Sequence, residues 1–235
     1  MIPKIIHYCW FGGTEKPKLA EKCISSWKKY CPDYEIVEWN ETNYDVTKNP
    51  YTKYCYENKK WAFLSDFVRL EVIKKHGGIY FDTDVEVIKS LEGLLKNDAF
   101  YGFETSSSIN TGLGFGATPE HATVREMLQK YLELPIDGDG KYHVVGCPIL
   151  NTEAMVEMGL KLNGEFQMIE GAAILPADYM NPYDDPTGQL KKTENTVSIH
   201  WYSKSWLDKK TILRSKLTKP FHRIFGTDCF TWLKR

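Results

Sequence analysis

The sequence lacks any excess of charge. Thirty lysines and arginines stand against 31 aspartates and glutamates, leaving a formal net charge of −1, so the chain as a whole makes no electrostatic case for binding nucleic acid. It also lacks paired cysteine spacing. None of Cys9, Cys23, Cys31, Cys55, Cys147 and Cys229 forms a C-x-x-C pair, which argues against a zinc knuckle or a disulfide framework and reads as reduced core thiols of a cytosolic protein. No apolar run approaches the ~20 residues of a membrane span. The opening "MIPKIIHYCWFGG" has no long apolar stretch with a small-residue cleavage site behind it. No internal repeat or low-complexity linker divides the chain. These absences predict a soluble, cytoplasmic protein whose 235 residues suffice for one sizeable domain, or a domain with an appendage.

What the sequence has in abundance is aromatic side chains, 14% of the total with 7 Trp and 14 Tyr. They suit stacking on flat ligands or sugars, and they suit a rich core equally well. Along the chain, "KIIHYCWF" is a short apolar run ended by Gly12-Gly13 and predicts a buried strand. "PKLAEKCISSWKKYCP", bracketed by Pro17 and Pro32, predicts a helix. "YEIVEW" predicts a second strand. Strand, helix and strand at this spacing indicate a βαβ unit and a parallel sheet. "WAFLSDFVRLEVIKKH" is a strong helix ended by Gly77. Further on, "AFYGFE" and "TGLGFGA" read as strands, "PEHATVREMLQKYLEL" and "GCPILNTEAMVEMGL" as helices, "FQMIE" and "AAILPA" as a hairpin, and "TVSIHWYSKSW" as the last strand and its exit.

The stretch "KKHGGIYFDTDVEVI" carries Asp82, Asp84 and Glu86 at alternate positions. Read as one strand, it places Ile79, Phe81, Thr83, Val85 and Val87 on one face and the carboxylates on the other. Same-face neighbours then lie roughly 7 Å apart and repel by about 2 kcal/mol per pair at an effective dielectric of ~20. In a cleft such a row calls for a cation, and a hard divalent ion completed by substrate phosphates is the natural one. Asp-x-Asp alone is weak, since it recurs by chance. The helix before it strengthens the case. It is apolar nearly all round and therefore buried, yet it contains Asp66 and Arg69, three apart and on one face. An internal salt bridge explains them as structure, but burying such a pair often costs as much as it returns, which favours a functional role. The Gly77-Gly78 turn then folds the helix end onto the acidic segment, so Asp66, Arg69, Asp82 and Asp84 are expected to converge.

These residues also carry a resemblance. "PKIIHYCWFGG", "WAFLSDFVRLEVIKKHGGIYFDTDVEV" and "SIHWYSKSW", in that order from residue 3 to 206, resemble the pattern of glycosyltransferase family 32. That family includes bacterial capsular-polysaccharide glycosyltransferases, the yeast initiating α-1,6-mannosyltransferases and, more distantly, the glucosylating clostridial toxins. The resemblance implies an α/β chain of GT-A fold, with a Rossmann-like, mostly parallel sheet flanked by helices. It implies a nucleotide-sugar donor, a Mn²⁺ or Mg²⁺ ion, and retention of anomeric configuration. Transferred by motif, Trp10 stacks on the donor base, Asp66 and Arg69 hold donor sugar, ribose and phosphate, Asp82 reaches ribose, sugar or the ion through water, and Asp84 ligates the ion. His200 falls where a late metal or diphosphate ligand sits. Trp201 and Trp206 belong to a segment that closes over the diphosphate, and Asn110 contacts donor sugar or acceptor. Each role has a structural rival. Trp10 and His200 also suit a core, Asn110 also suits a turn held by its own side chain, His7 reads as structural, Glu86 as supporting or solvated, and Glu104 as a lining of the sugar pocket.

The expected boundaries are a catalytic domain over 1–207 and a basic amphipathic tail over 208–235. In the tail, Lys209, Lys210, Arg214, Lys216, Lys219, Arg223, Lys234 and Arg235 alternate with Leu213, Leu217, Phe221, Ile224, Phe225, Phe230 and Trp232. That mixture suits an anionic membrane surface, or a helix docked on the domain with a solvated basic face. A cytoplasmic enzyme peripheral to the inner membrane face, moving a hexose from a UDP-sugar (preferred to GDP) to a lipid-linked glycan in capsule or other surface-polysaccharide synthesis, joins these expectations. A metal-dependent nucleotide-sugar hydrolase and a non-catalytic nucleotide-sugar-binding module stand as alternatives. The first would release free sugar with no gain from an acceptor, and the second would bind donor without turnover.

Overall fold

Alternation along the strands sorts apolar side chains onto two faces, and the computed structural model, which describes residues 1–204 and 208–230, shows a core on each. The elements in order are β1 (Ile5–Cys9), α1 (Lys18–Tyr30), β2 (Glu35–Trp39), α2 (Pro50–Glu57), α3 (Trp61–His76), β3 (Gly78–Tyr80), β4 (Val85–Val87), β5 (Ala99–Thr105), β6 (Ser108–Ile109) and β7 (Phe115–Ala117). There follow α4 (Ala122–Leu132), α5 (Cys147–Glu157), β8 (Gln167–Ile169), β9 (Ala172–Leu175), β10 (Tyr183–Asp184), β11 (Gln189–Leu190), β12 (Ser198–His200) and α6 (Lys209–Phe225). Tyr80, Tyr101, Phe103, Ala172 and Ile174 enter the core that α3 to α5 cover. Their strand neighbours Ile79, Phe100, Ala173 and Leu175 enter the one beneath α1, with Trp27 fully buried at its centre. The period-two side-chain pattern of a strand produces this division.

The main sheet has the order β2-β1-β3-β7-β5-β9-β8, with β6 paired to β5. Strands β2, β1 and β3 run parallel, β7 is reversed, β5 and β9 return to the first direction, and β8 is reversed again. The α/β class with a mixed, mostly parallel sheet is therefore present. From β1 the chain steps to β2 on one side and later to β3 on the other. That makes the gap between the carboxyl ends of β1 and β3 a switch point, the place where open α/β sheets bind ligands.

The acidic segment is not the continuous strand expected from its alternation. The ladder ends where Phe81 N–H donates to the His7 carbonyl at 3.1 Å, and Val85 N–H then closes a turn on the Asp82 carbonyl at 3.0 Å. Beyond the turn, β4 leaves the main sheet and pairs antiparallel with β12. Helix α1 braces it. Trp27 Nε1 donates to the Val85 carbonyl at 2.8 Å, and Val87 N–H donates to Ser26 Oγ at 2.9 Å. At the other end, Gly78 is required by geometry. Its φ is +96°, and a Cβ would lie 2.7 Å from the Ile5 carbonyl and 3.0 Å from His7 Nε2. Among the described residues, no helix is long and apolar enough to cross a membrane.

Candidate active site

The site begins with α3. Its apolar surround holds Asp66 and Arg69 at 6% and 2% exposure, and the three-residue spacing brings Arg69 Nη2 to Asp66 Oδ1 at 3.0 Å. The same Nη2 donates to Asp82 Oδ1 at 2.8 Å, so one guanidinium joins the helix to the turn after β3. Arg69 is fixed on every side. Nε donates to the Ser65 carbonyl and Nη1 to Thr111 Oγ1, while the guanidinium lies 4.8 Å from the centre of the Tyr80 ring. Tyr80 OH donates to Asp82 Oδ1 at 3.1 Å.

Asp84 belongs to a second group. Its Oδ1 meets His200 Nε2 at 3.1 Å, its Oδ2 accepts the Ser203 N–H at 2.7 Å, and its carbonyl accepts the Trp201 N–H at 2.9 Å. The β4–β12 pairing is what brings residue 84 to residue 200. One ligand atom each from Asp82, Asp84 and His200 lies within 4.8 Å of the others. Two carboxylate oxygens and an imidazole nitrogen form a donor set that fits a divalent cation. His200 Nδ1 is buried without a partner among the described residues.

The charges are strongly perturbed. Burial raises the Asp82 pKa to about 6, against the pull of Arg69 and with the push of Asp84. Its side chain keeps 28% exposure, so solvent softens that shift. Burial would raise Asp84 too, but His200 and the Ser203 amide hold it well below the usual carboxylate range. His200 moves the opposite way. Burial would lower it, and Asp84 raises it past its ordinary value. Burial raises Asp66 despite Arg69. Neighbouring carboxylates pushed in opposite directions are typical of sites that hold an ion or transfer charge.

Around this centre lie residues that no local pattern singles out. Cys147, which the sequence reading counts among the core thiols, opens α5 here. Its N–H donates to Asp66 Oδ2 at 3.3 Å, its thiol to Asn110 Oδ1 at 3.3 Å, and its sulfur lies 3.5 Å from Arg69 Nη1. Tyr202 packs against His200 with ring centroids 4.1 Å apart and planes tilted by 47°, and donates to Glu104 Oε1 at 3.0 Å. Gly112 passes so close that a Cβ would stand 2.5 Å from Asp82 Oδ2. The aromatic two residues after His200 and the glycine after Asn110-Thr111 were the available signals, and neither carries its meaning without the pairing.

The remaining expected residues fall in several places. Trp10 leaves the carboxyl end of β1 half-buried, donating to the Thr14 carbonyl with Lys16 5.7 Å from its ring. It flanks the switch point on the side opposite Asp82. Asn110 is buried and holds a turn. Its Oδ1 accepts Gly112 N–H at 2.6 Å, while its Nδ2 donates to Glu104 Oε1 at 3.0 Å. The structural rival weighed for it is therefore present, in the wall of the site. Trp201 turns to Glu86, donating Nε1 to Oε2 at 2.9 Å, and packs on Tyr183. Glu86 also pairs with Lys22 at 2.7 Å. His7 is structural as expected, bridging the Gly77 carbonyl and Trp39 Nε1. Trp206, and Trp232, Lys234 and Arg235 of the tail, lie outside the described residues.

Residues 17–101 match the family model for the glycosyltransferase sugar-binding region containing a DXD motif. The chain resembles DXD-containing glycosyltransferases. It is 33% identical over 127 residues to inositol phosphoceramide mannosyltransferase 3 of Schizosaccharomyces pombe, covering 48% of this chain and 33% of that protein. It is 32% identical over 130 residues to an uncharacterized glycosyltransferase, L373, of Acanthamoeba polyphaga mimivirus, covering 52% of each. The chain thus spans about half or less of the length of the curated relatives it matches. Among solved structures, the PaToxG glycosyltransferase superposes with a TM-score of 0.51 at 20% identity, over 66% of this chain and 69% of that one. The fold is that of GT-A glycosyltransferases. The DXD of the family description is Asp82-Thr83-Asp84.

Proposed function

We propose that the chain is a metal-dependent, retaining glycosyltransferase of family 32 type that moves a hexose from a nucleotide sugar to a glycan. The observation that carries this reading is the convergence of Asp82, Asp84 and His200 within 4.8 Å, beside the buried Asp66–Arg69 pair. Buried charge at this density costs the fold stability, which favours a role for it other than packing. Asp82, Asp84 and His200 would hold the ion, and the imidazole among the ligands favours Mn²⁺ over Mg²⁺. When bound, such an ion neutralises the charge that grows on a departing diphosphate. Arg69, locked in position, presents fixed positive charge at the same place without reorganising. Trp10 supplies an aromatic face for a base, and Asp66 accepts from donor hydroxyls. Glu104 has no hydrogen-bond partner on Oε2 among the described residues, which leaves an acceptor free for a sugar.

Retention is assigned to same-face attack, with the departing phosphate taking the acceptor proton. A trapped covalent glycosyl-enzyme would replace this with double displacement. The likeness of Trp10 and its neighbours to the toxin group favours UDP over GDP, and the basic tail favours a lipid-linked acceptor of the kind used in capsule and other surface polysaccharides. A thermal-shift panel of UDP- and GDP-sugars with Mn²⁺, followed by turnover with and without glycan acceptors, tests the reading. Mn²⁺-dependent stabilisation by a UDP-sugar and acceptor-dependent release of UDP are expected. Free sugar released at the same rate without acceptor would make the chain a hydrolase, and binding without turnover on any acceptor would make it a binding module.

A further inference from the structure

Helix α6 is mounted inside out. Its less exposed residues, Ile212, Ser215, Thr218, Lys219 and His222, are mostly polar and face the domain. Lys219 Nζ bonds Asp185 Oδ1 at 2.9 Å and Tyr183 OH at 2.8 Å. Lys204 donates to Ser215 Oγ at 3.1 Å, and His222 Nδ1 lies 3.2 Å from the Pro186 carbonyl. Asp185, buried between Lys204 and Lys219, anchors the helix. The opposite face carries Leu213, Leu217, Phe221, Ile224 and Phe225, exposed by 50–73%. At 3.6 residues per turn these five fall within about a third of the circumference. A surface helix ordinarily turns such a stripe to its core. This one docks through hydrogen bonds and ion pairs and leaves the stripe to the outside.

The charges say what covers it. Helix α6 contains Lys209, Lys210, Arg214, Lys216, Lys219 and Arg223 and no acidic residue. Lys216, Lys219 and Arg223, with Tyr183 and Gln189 opposite, line an open cleft of about 650 Å³ between the helix and the β10–β11 hairpin, with no carboxylate in its lining. Two copies meeting through the stripe would bring like charges together, so a second copy is disfavoured. A bilayer with anionic headgroups supplies both an apolar phase for the leucines and phenylalanines and phosphates for the cations. We infer that α6 is an interfacial anchor that lies in the plane of an anionic membrane, its apolar stripe among the acyl chains and its basic cleft on headgroup phosphates. The inference does not depend on the donor chemistry.

Co-sedimentation of the full chain with vesicles of phosphatidylcholine, with and without phosphatidylglycerol, tests it. Binding is expected only with phosphatidylglycerol, and it should fall with salt. The double variant Leu213→Glu/Leu217→Glu, at positions already exposed, should abolish it. Lys216→Gln/Arg223→Gln should lower the partition about 25-fold, about fivefold for each cation. Equal binding to neutral vesicles, or unchanged binding by the leucine variant, overturns the proposal. So does a dimer in sedimentation velocity that the leucine variant dissolves. Mn²⁺-dependent thermal shift by a UDP-sugar, read on the same samples, should be the same in all variants. If the wild type shows no such shift, the proposed function fails while the vesicle result stands on its own.

Discussion

Helices α3 and α6 make opposite use of the same materials. Each mixes apolar and charged residues over four to five turns. Helix α3 buries most of its central turns, Asp66 and Arg69 included. Helix α6 docks by its polar side and exposes its leucines. Burial is the ordinary fate of Leu and an expensive one for Asp. On the proposed function the carboxylate inside α3 serves chemistry at a cost in stability, and on the inferred anchoring the apolar stripe outside α6 is a surface for another phase.

The comparison can be broken first at its most expensive point. Arg69→Met leaves the buried Asp66 and the half-buried Asp82 without their cation and should destabilise the fold by about 3–5 kcal/mol in urea titration. Adding Asp66→Leu should return much of that stability while transferase turnover stays absent. If the double variant remained active, the pair would be merely structural. Next is Asp84→Asn, expected to lower Mn²⁺-dependent turnover about 10³-fold in steady-state assays, the several kcal/mol that an ion contributes at a departing diphosphate. Its melting temperature should change far less than that of Arg69→Met.

A pH effect of similar size comes from His7, which holds the Gly77 turn. Burial lowers its pKa from 6.5 to about 4, partly offset by its bond to the Gly77 carbonyl. The unfolded chain takes up the proton first as pH falls, so this stability is complete above pH 6.5 and is lost between 6.5 and 4. The loss is about 3 kcal/mol at most. Denaturant midpoints measured across that window should slope for the wild type and flatten for His7→Gln. A smaller effect is expected from Gly112→Ala, whose methyl would push the Asp82 carboxylate. A displacement of this kind costs about 10- to 100-fold in kcat/KM, with stability reduced by about 1–3 kcal/mol. The smallest falls on α6. Leu217→Glu should leave unfolding free energy within about 0.5 kcal/mol of the wild type, since its side chain already faces solvent.

Local periodicity made much of this legible. The apolar run of α3 with Asp66 and Arg69 three apart, the Gly77-Gly78 stop and the Asp-x-Asp after it lie within 19 residues, where helix and turn rules apply directly. The order of β1, α1 and β2 was equally plain, and so was the tail's amphipathic composition. The alternation of residues 79–87 misled, because a strand that changes partners keeps its side-chain pattern while its backbone turns. Nothing near residue 84 announces that β12 will pair there. Nothing near Cys147 announces that its amide will reach Asp66, 81 residues earlier.

Local residue order was enough to say which charges are trapped inside, because a helix apolar nearly all round has almost no solvent face on which to put them. Which atoms complete the site, and which way α6 faces, follow from the folded arrangement alone. Those outcomes depend on strands and side chains meeting across long stretches of chain, and on whether the polar or the apolar side of one helix finds its partners within the domain.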